Sequence, residues 1–431
     1  MTRIARLLAV LLILGLGSRA AFALPPDQAQ AWREDLRFMA VEMERLHKNL
    51  FHTLAREHFA ARLAALDANL ATMERHEVIV EIARLVAAVG DGHTNVYPTR
   101  DPKIGFRTLP LQLTFFGDEL IVRAAPQAQR ALVGARVLRI GGMATEAAYA
   151  AVREIIGRDN EQGARYWAQY LLAMPEVLHA LRITASVNEV PLTLRTAAGE
   201  ETVQLAPWAP VEMMSGEIVT LFRRREGWTD ARDAAERPDP AWLRRSAEPF
   251  HLERLDGLLY VQINQIGDAA GETLAAFAQR LRDEIATRAP DKLVLDLRLN
   301  RGGNATLNPP LVRALVQSQA VDRPGRLFAI IGPGTFSAAQ MLADALETYT
   351  RVIFVGEPSG SKGNAYGDSR RITLPRSGIT VRVSIYHWQN WHPADRRDAT
   401  QPQLPAPLDF DAYRRNIDPA LEAIKAYAAT P

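Results

Sequence analysis

Hydrophobic and polar positions follow different rhythms along the chain, and each rhythm predicts a region. Over residues 27–90 apolar residues recur three and four apart, as in Leu36, Met39, Met43, Leu46 and Leu50 and again in Phe59, Leu63, Leu66 and Leu70. That spacing predicts helices with one buried stripe. Over residues 109–205 the pattern is mixed. Strands are expected at 111–116, 119–124, 136–140, 181–187 and 192–196, with helices at 146–155 and 159–178. From residue 252 onward the rhythm changes again. The runs 293–297 and 327–331 lack the alternation of a half-exposed strand, which predicts strands covered on both faces of a sheet. A strand at 258–263, an amphipathic helix at 271–287 and a third apolar run at 352–356 surround them. A hairpin at 371–374 and 380–385 turns about Arg376-Ser377-Gly378, and a final helix is expected at 420–428.

The 431 residues are enough for two or three domains, each with its own core. Lysine plus arginine number 51 and aspartate plus glutamate 49, with no long basic patch or tail, so no nucleic-acid partner is expected. There is no cysteine, which excludes disulfides, thiolate nucleophiles and cysteine-based zinc sites. At the start, Arg3 and Arg6 precede an apolar run at 7–17 and then Ala21-Phe22-Ala23, the pattern of a cleavable secretory leader. The run is short for a membrane span. The expectation is a secreted, periplasmic protein without a stable membrane anchor. The segments expected are a leader (1–23), a helical region (24–98), a mixed domain (105–207), a charged, proline-interrupted linker (208–249) and a core (250–431).

The candidate chemistry gathers where the apolar runs of the core end, since ligands collect at the carboxyl ends of strands in open α/β sheets. Ser337, in G-P-G-T-F-S-A-A-Q, stands where a buried strand gives way to a helix. Unpaired amides at a helix start can hold an oxyanion while a serine oxygen attacks a carbonyl; a plain helix-capping serine would occupy the same place. Lys362, between glycines in G-S-K-G, can act as a base if its surroundings favour the neutral amine. Gly302-Gly303 offers amides that a substrate can approach closely, with Ala338 supplying another. His93 lies in D-G-H-T at the end of the helical region, whereas His47, His52, His58 and His76 are expected to serve packing or the surface. His387, His392 and Asp395 follow no helical spacing and are not expected to bind metal. No cofactor is expected. Trp388 and Trp391 are expected either to line a groove or to be buried.

D-L-R-L-N-R-G-G-N, T-F-S-A-A and V-G-E-P-S-G-S-K-G, in that order, resemble the tail-specific or C-terminal-processing serine peptidases, a family that includes the tricorn core. The resemblance implies an α/β (α+β) fold with a crotonase-like ββα core, Ser337 as nucleophile, and peptide or protein substrates entered near a free C-terminus. It leaves the base open. Lys362 matches the lysine of the bacterial processing enzymes, although Tyr366 stands where their glutamine follows. His93 matches the histidine of the tricorn branch, although Gly92 replaces its neighbouring serine. G-A-R-V-L-R-I-G-G before a helix is similar to PDZ domains, which implies an inserted peptide-presenting module. A catalytically idle periplasmic peptide-binding or scaffold protein on the same fold is the alternative.

Overall fold

The computed structural model describes residues 24–99, 101–208 and 222–428. The expected leader lies outside them. Among the described residues no helix is long and apolar enough to cross a membrane.

The helical region supplies α1 (Pro26–Leu46), α2 (Arg56–Asn69) and α3 (Arg75–Ala87). The expected stripe is present: Leu36, Met39 and Met43 are buried on α1. The next region forms a seven-stranded antiparallel sheet from β1 (Gln112–Phe116), β2 (Glu119–Pro126), β3 (Arg136–Ile140), β4 (Met143–Ala144), β5 (Val190–Thr196), β6 (Gly199–Leu205) and β7 (Trp228–Asp230). Its helices are α4 (Thr145–Arg153), α5 (Glu161–Leu171) and α6 (Pro175–Ala180). The strand expected at 181–187 does not form. Arg182 adopts φ 60° after α6, and the Ile183 N–H turns back to the Leu178 carbonyl at 2.8 Å, a helix-ending turn that breaks the apolar run.

The expected linker is also corrected in its described part, 222–249. Its charges are not all solvated: Arg232 is 2% exposed and bonds Asp230 at 3.0 Å, and Arg123 reaches the same carboxylate at 2.5 Å. β7 pairs with β2, and α7 (Ala241–Arg244) buries Trp242. Opposite charges in one buried, hydrogen-bonded cluster can pack where either alone could not.

The remaining chain builds a six-stranded sheet in the order β15-β12-β11-β10-β9-β8, from β8 (Phe250–Leu255), β9 (Leu258–Ile263), β10 (Lys292–Asp296), β11 (Leu327–Ile331), β12 (Ile353–Gly356) and β15 (Leu404–Pro405). All neighbours are parallel except β8 with β9. Every residue of β9 and β11 is buried, as the unbroken apolar run of β11 requires, and β9 buries Gln262 among its apolar residues. α8 (Leu274–Thr287), α9 (Asn308–Val316) and α10 (Ala338–Tyr349) pack one face. α7 and α12 (Pro419–Ala426) pack the other, and α11 (Phe410–Arg414) lies between β15 and α12 in the chain.

The hairpin is longer than expected, β13 (Asn364–Thr373) with β14 (Thr380–Gln389). Ile372, Val381 and Val383 join the core of the helical region, so this ribbon ties the N-terminal helices to the strand ends of the six-stranded sheet.

Candidate active site

Ser337 sits between β11 and α10, after the turn Gly332–Phe336. The turn is fixed from within: the Thr335 N–H donates to Gly332 O at 2.8 Å, and Thr335 Oγ1 donates to the Leu297 carbonyl beside it at 3.0 Å. Ser337 has φ 57° and ψ −125°, a conformation costly for a residue with a Cβ. Its side chain caps nothing on α10. It therefore does not play the capping role that its place in the sequence also allowed. The strained backbone turns Oγ into a cleft of about 40 Å3 lined by His93, Gly303, Ala338, Met341, Lys362 and Trp388, among others.

His93 Nε2 lies 3.0 Å from Ser337 Oγ. The imidazole stacks on Phe336 with centroids 4.5 Å apart. Its Nδ1 is buried with no hydrogen-bond partner among the described residues. The turn that carries it is held by side chains. Asp91 Oδ1 accepts from the N–H of His93 at 2.9 Å and of Thr94 at 2.7 Å. The Gly92 N–H donates to Asp159 at 2.9 Å, and Ser361 Oγ donates to the same carboxylate at 2.6 Å, which joins this turn to the Lys362 loop. A Cβ on Gly92 would come within 2.9 Å of Phe336 and 3.0 Å of Asp159 Oδ2, so a side chain there would force these neighbours to shift.

The two glycines divide their tasks. The Gly302 N–H donates to Asn300 Oδ1 at 2.9 Å and its carbonyl accepts from Ile266 at 3.0 Å, so neither group is free for a substrate. What Gly302 provides is room. At φ 101°, an added Cβ would lie 2.7 Å from Ser337 Cβ and 2.9 Å from the Ala338 nitrogen. The Gly303 and Ala338 amides donate to no acceptor among the described residues, and both residues border the cleft. The first turn of α10 adds its positive end there.

Lys362 lines the same cleft, half-buried, with no hydrogen bond or ion pair to its amine among the described residues. Burial, then the neighbouring Lys362, holds the His387 imidazole below its usual range. Trp388 borders the cleft at 37% exposure, while Trp391 is buried against Gly363. His392 and Asp395 do not converge with His387: His392 accepts from the Ala394 N–H and Asp395 pairs with Arg397.

One group does bring metal-type donors together, His47, His52 and Asp91, all within 4.8 Å. The Asn49 N–H donates to His47 Nδ1 at 3.0 Å, which leaves the proton of the neutral ring on Nε2, facing Asp91 Oδ2 at 2.9 Å. That nitrogen donates and has no lone pair for a metal. Burial works against the Asp91 carboxylate, but the hydrogen bonds from His47 and Ser384, with His52 4.0 Å away, outweigh it and hold the group far below the usual carboxylate range. His47 is the residue that sequence reasoning passed over; its spacing on α1 carried no sign of a partner 44 positions away.

No family model and no curated protein matches the chain. Its fold is similar to that of a serine-to-alanine mutant of CPAF, with TM-score 0.60 and 11% identity over 94% of this chain and 99% of that one. Mature CPAF complexed with lactacystin gives 0.57 and 13% over 92% and 97%. The photosystem II D1 C-terminal processing protease reaches 0.41, with 16% identity over 91% and 96%, a score too low to carry weight. The chain shares the mixed α/β fold of CPAF. At these identities the likeness concerns the fold, and the chemistry has to come from the residues.

Proposed function

We propose that the chain is a serine peptidase of the tail-specific type that hydrolyses peptide bonds by acyl transfer. The observation that carries this reading is the 3.0 Å contact between His93 Nε2 and Ser337 Oγ, made by a serine held at φ 57°. Ser337 Oγ attacks the peptide carbonyl as His93 Nε2 takes its proton. The oxyanion forms beside the Gly303 and Ala338 amides. His93 then protonates the departing amine, and a water deprotonated by His93 releases the acyl group. Gly302 keeps Ser337 and the Ala338 amide at close quarters.

In this reading Lys362 is not the base, because no hydrogen bond directs its amine to Ser337. Its unpaired side chain at the rim suits the carboxylate of a substrate's C-terminus. The six-stranded sheet with its helices serves as the crotonase-like core, and the region of β1 to β6 as the PDZ-like module. β1 ends the strand order of its sheet, the place where a peptide would add as a strand, and borders a cavity of about 410 Å3 shared with α5 and the ends of β11 and β12. The sequence pattern of residues 1–23 supports export to the periplasm.

The test is labelling with a fluorophosphonate, followed by mass spectrometry of the adduct. The expected result is a single adduct on Ser337, absent from a folded Ser337→Ala variant. A wild-type protein that neither labels nor cleaves peptides would contradict the reading and favour a binding protein on this fold.

A further inference from the structure

His93 lacks what usually aims a catalytic imidazole. No side chain bonds its Nδ1 among the described residues. Stacking on Phe336 fixes the plane of the ring but leaves sliding within that plane open. Its aim therefore depends on the main chain that carries it, where one carboxylate takes the N–H of both His93 and Thr94.

Asp91 is 1% exposed and receives four hydrogen bonds, about the capacity of a carboxylate. Oδ1 takes the N–H of His93 and of Thr94 and, at 2.7 Å, Ser384 Oγ from β14. Oδ2 takes His47 Nε2 at 2.9 Å. His47 is the residue that ends α1, and its tautomer is set by the Asn49 N–H. The Lys48 N–H also donates to the Ser384 carbonyl at 3.3 Å, and Ser384 N–H to Thr94 Oγ1 at 3.1 Å. Three separate parts of the chain thus meet on one buried carboxylate: the end of the first helix, the hairpin ribbon and the turn with the base.

We propose that Asp91 is the positioning residue for His93, and that the N-terminal helical region completes it by donating from His47. Asp91 touches neither the imidazole nor Ser337. It acts on the backbone of residues 93 and 94 and so on where the ring can lie. The helical region is then part of the hydrolytic apparatus and more than a cover for it. This inference rests on the assignment of His93 as base in the reading above.

The test compares fluorophosphonate labelling rates in the full-length protein, with melting curves on every variant. Asp91→Asn keeps an acceptor for the amides but sets its NH2 against the His47 donor. It is expected to slow labelling about 100-fold, the scale of a misplacement near 1 Å. His47→Ala is expected to slow it about tenfold, and His47→Gln, which keeps a donor to Oδ2, to restore most of that loss. In a His93→Ala background Asp91→Asn is expected to cost nothing further. Labelling of Asp91→Asn at the wild-type rate would overturn the inference, as would an equal loss in the His93→Ala background, or a His47→Gln variant as slow as His47→Ala, while leaving His93 as base. A His93→Ala variant that labels as fast as wild type would remove the base assignment and this role together.

Discussion

The two walls of the cleft are built by different means. The Ser337 wall is made of main chain: β11, its turn and α10 run consecutively, and β10 lies beside them in parallel register with its Gly302-Gly303 turn at the same level. Backbone hydrogen bonds of the sheet place Ser337, helped by the neighbouring Thr335 and Asn300 side chains, and room at Gly302 comes from a missing one. The His93 wall has no regular element at its centre. Asp91, Asp159, His47 and Ser384 hold it, through hydrogen bonds that join positions up to 293 residues apart. The nucleophile is placed by the fold, the base by a buried polar network. The first wall should fail when a side chain is added, the second when a hydrogen bond is removed.

Substitutions can break or sharpen that contrast. The largest effect is expected from Gly302→Ala. The new Cβ would press on Ser337 and the Ala338 nitrogen from a left-handed backbone that itself costs about 1–2 kcal/mol. Hydrolysis should fall by more than about 100-fold, measured as initial rate on a peptide library. Gly92→Ala adds a methyl on the other wall, against Phe336 and Asp159. Overpacking of this kind costs about 1–3 kcal/mol, and a tenfold loss of rate with a lowered melting temperature is expected. An unaffected Gly92→Ala would mean that the His93 turn yields more easily than its network implies.

The smallest effect on rate is expected at Asp344 on α10, which burial pushes up to about 7 despite hydrogen bonds from Gln340 and Asn390. For an acid raised above its unfolded value, the folded state binds the extra proton. Stability is therefore highest below about pH 4 for this group and declines as pH rises towards 7. The loss is on the order of a few kcal/mol. Asp344→Asn should flatten the melting temperature between pH 5 and 8 and leave the rate nearly unchanged. A wild-type profile as flat as that of the variant would contradict the raised carboxyl.

The contrast between the walls also explains what could be read in advance. The buried strands expected at 293–297 and 327–331 match β10 and β11 because an apolar run of strand length is a local signal. Ser337 and the glycine pair stand at the ends of such runs, so their place followed from the same signal. The task of Gly302 did not, since Asn300 claims its amide only once the turn has closed. On the other wall D-G-H-T could be singled out, but not the convergence of Asp91 with His47 and Ser384. Periodicity reports which face of an element is apolar and is silent on which distant side chain meets it. The charged stretch near Arg232 was misread for the same reason, as its partners Asp230 and Tyr413 reveal burial only in three dimensions. The run at 181–187 forms no strand, and apolar content alone does not show the left-handed turn at Arg182.

The measurement that bears most directly on the account is the rate of fluorophosphonate labelling in His93→Ala and Lys362→Ala side by side, both checked for an intact fold. Loss of general-base assistance is worth about 10²- to 10⁴-fold, so His93→Ala should fall by that much. Lys362→Ala should stay within about tenfold of wild type and lose chiefly its preference for substrates with a free C-terminal carboxylate, an exposed-pair effect of roughly 1 kcal/mol. The opposite pattern, with His93→Ala active and Lys362→Ala inert, would contradict the assignment and make Lys362 the base.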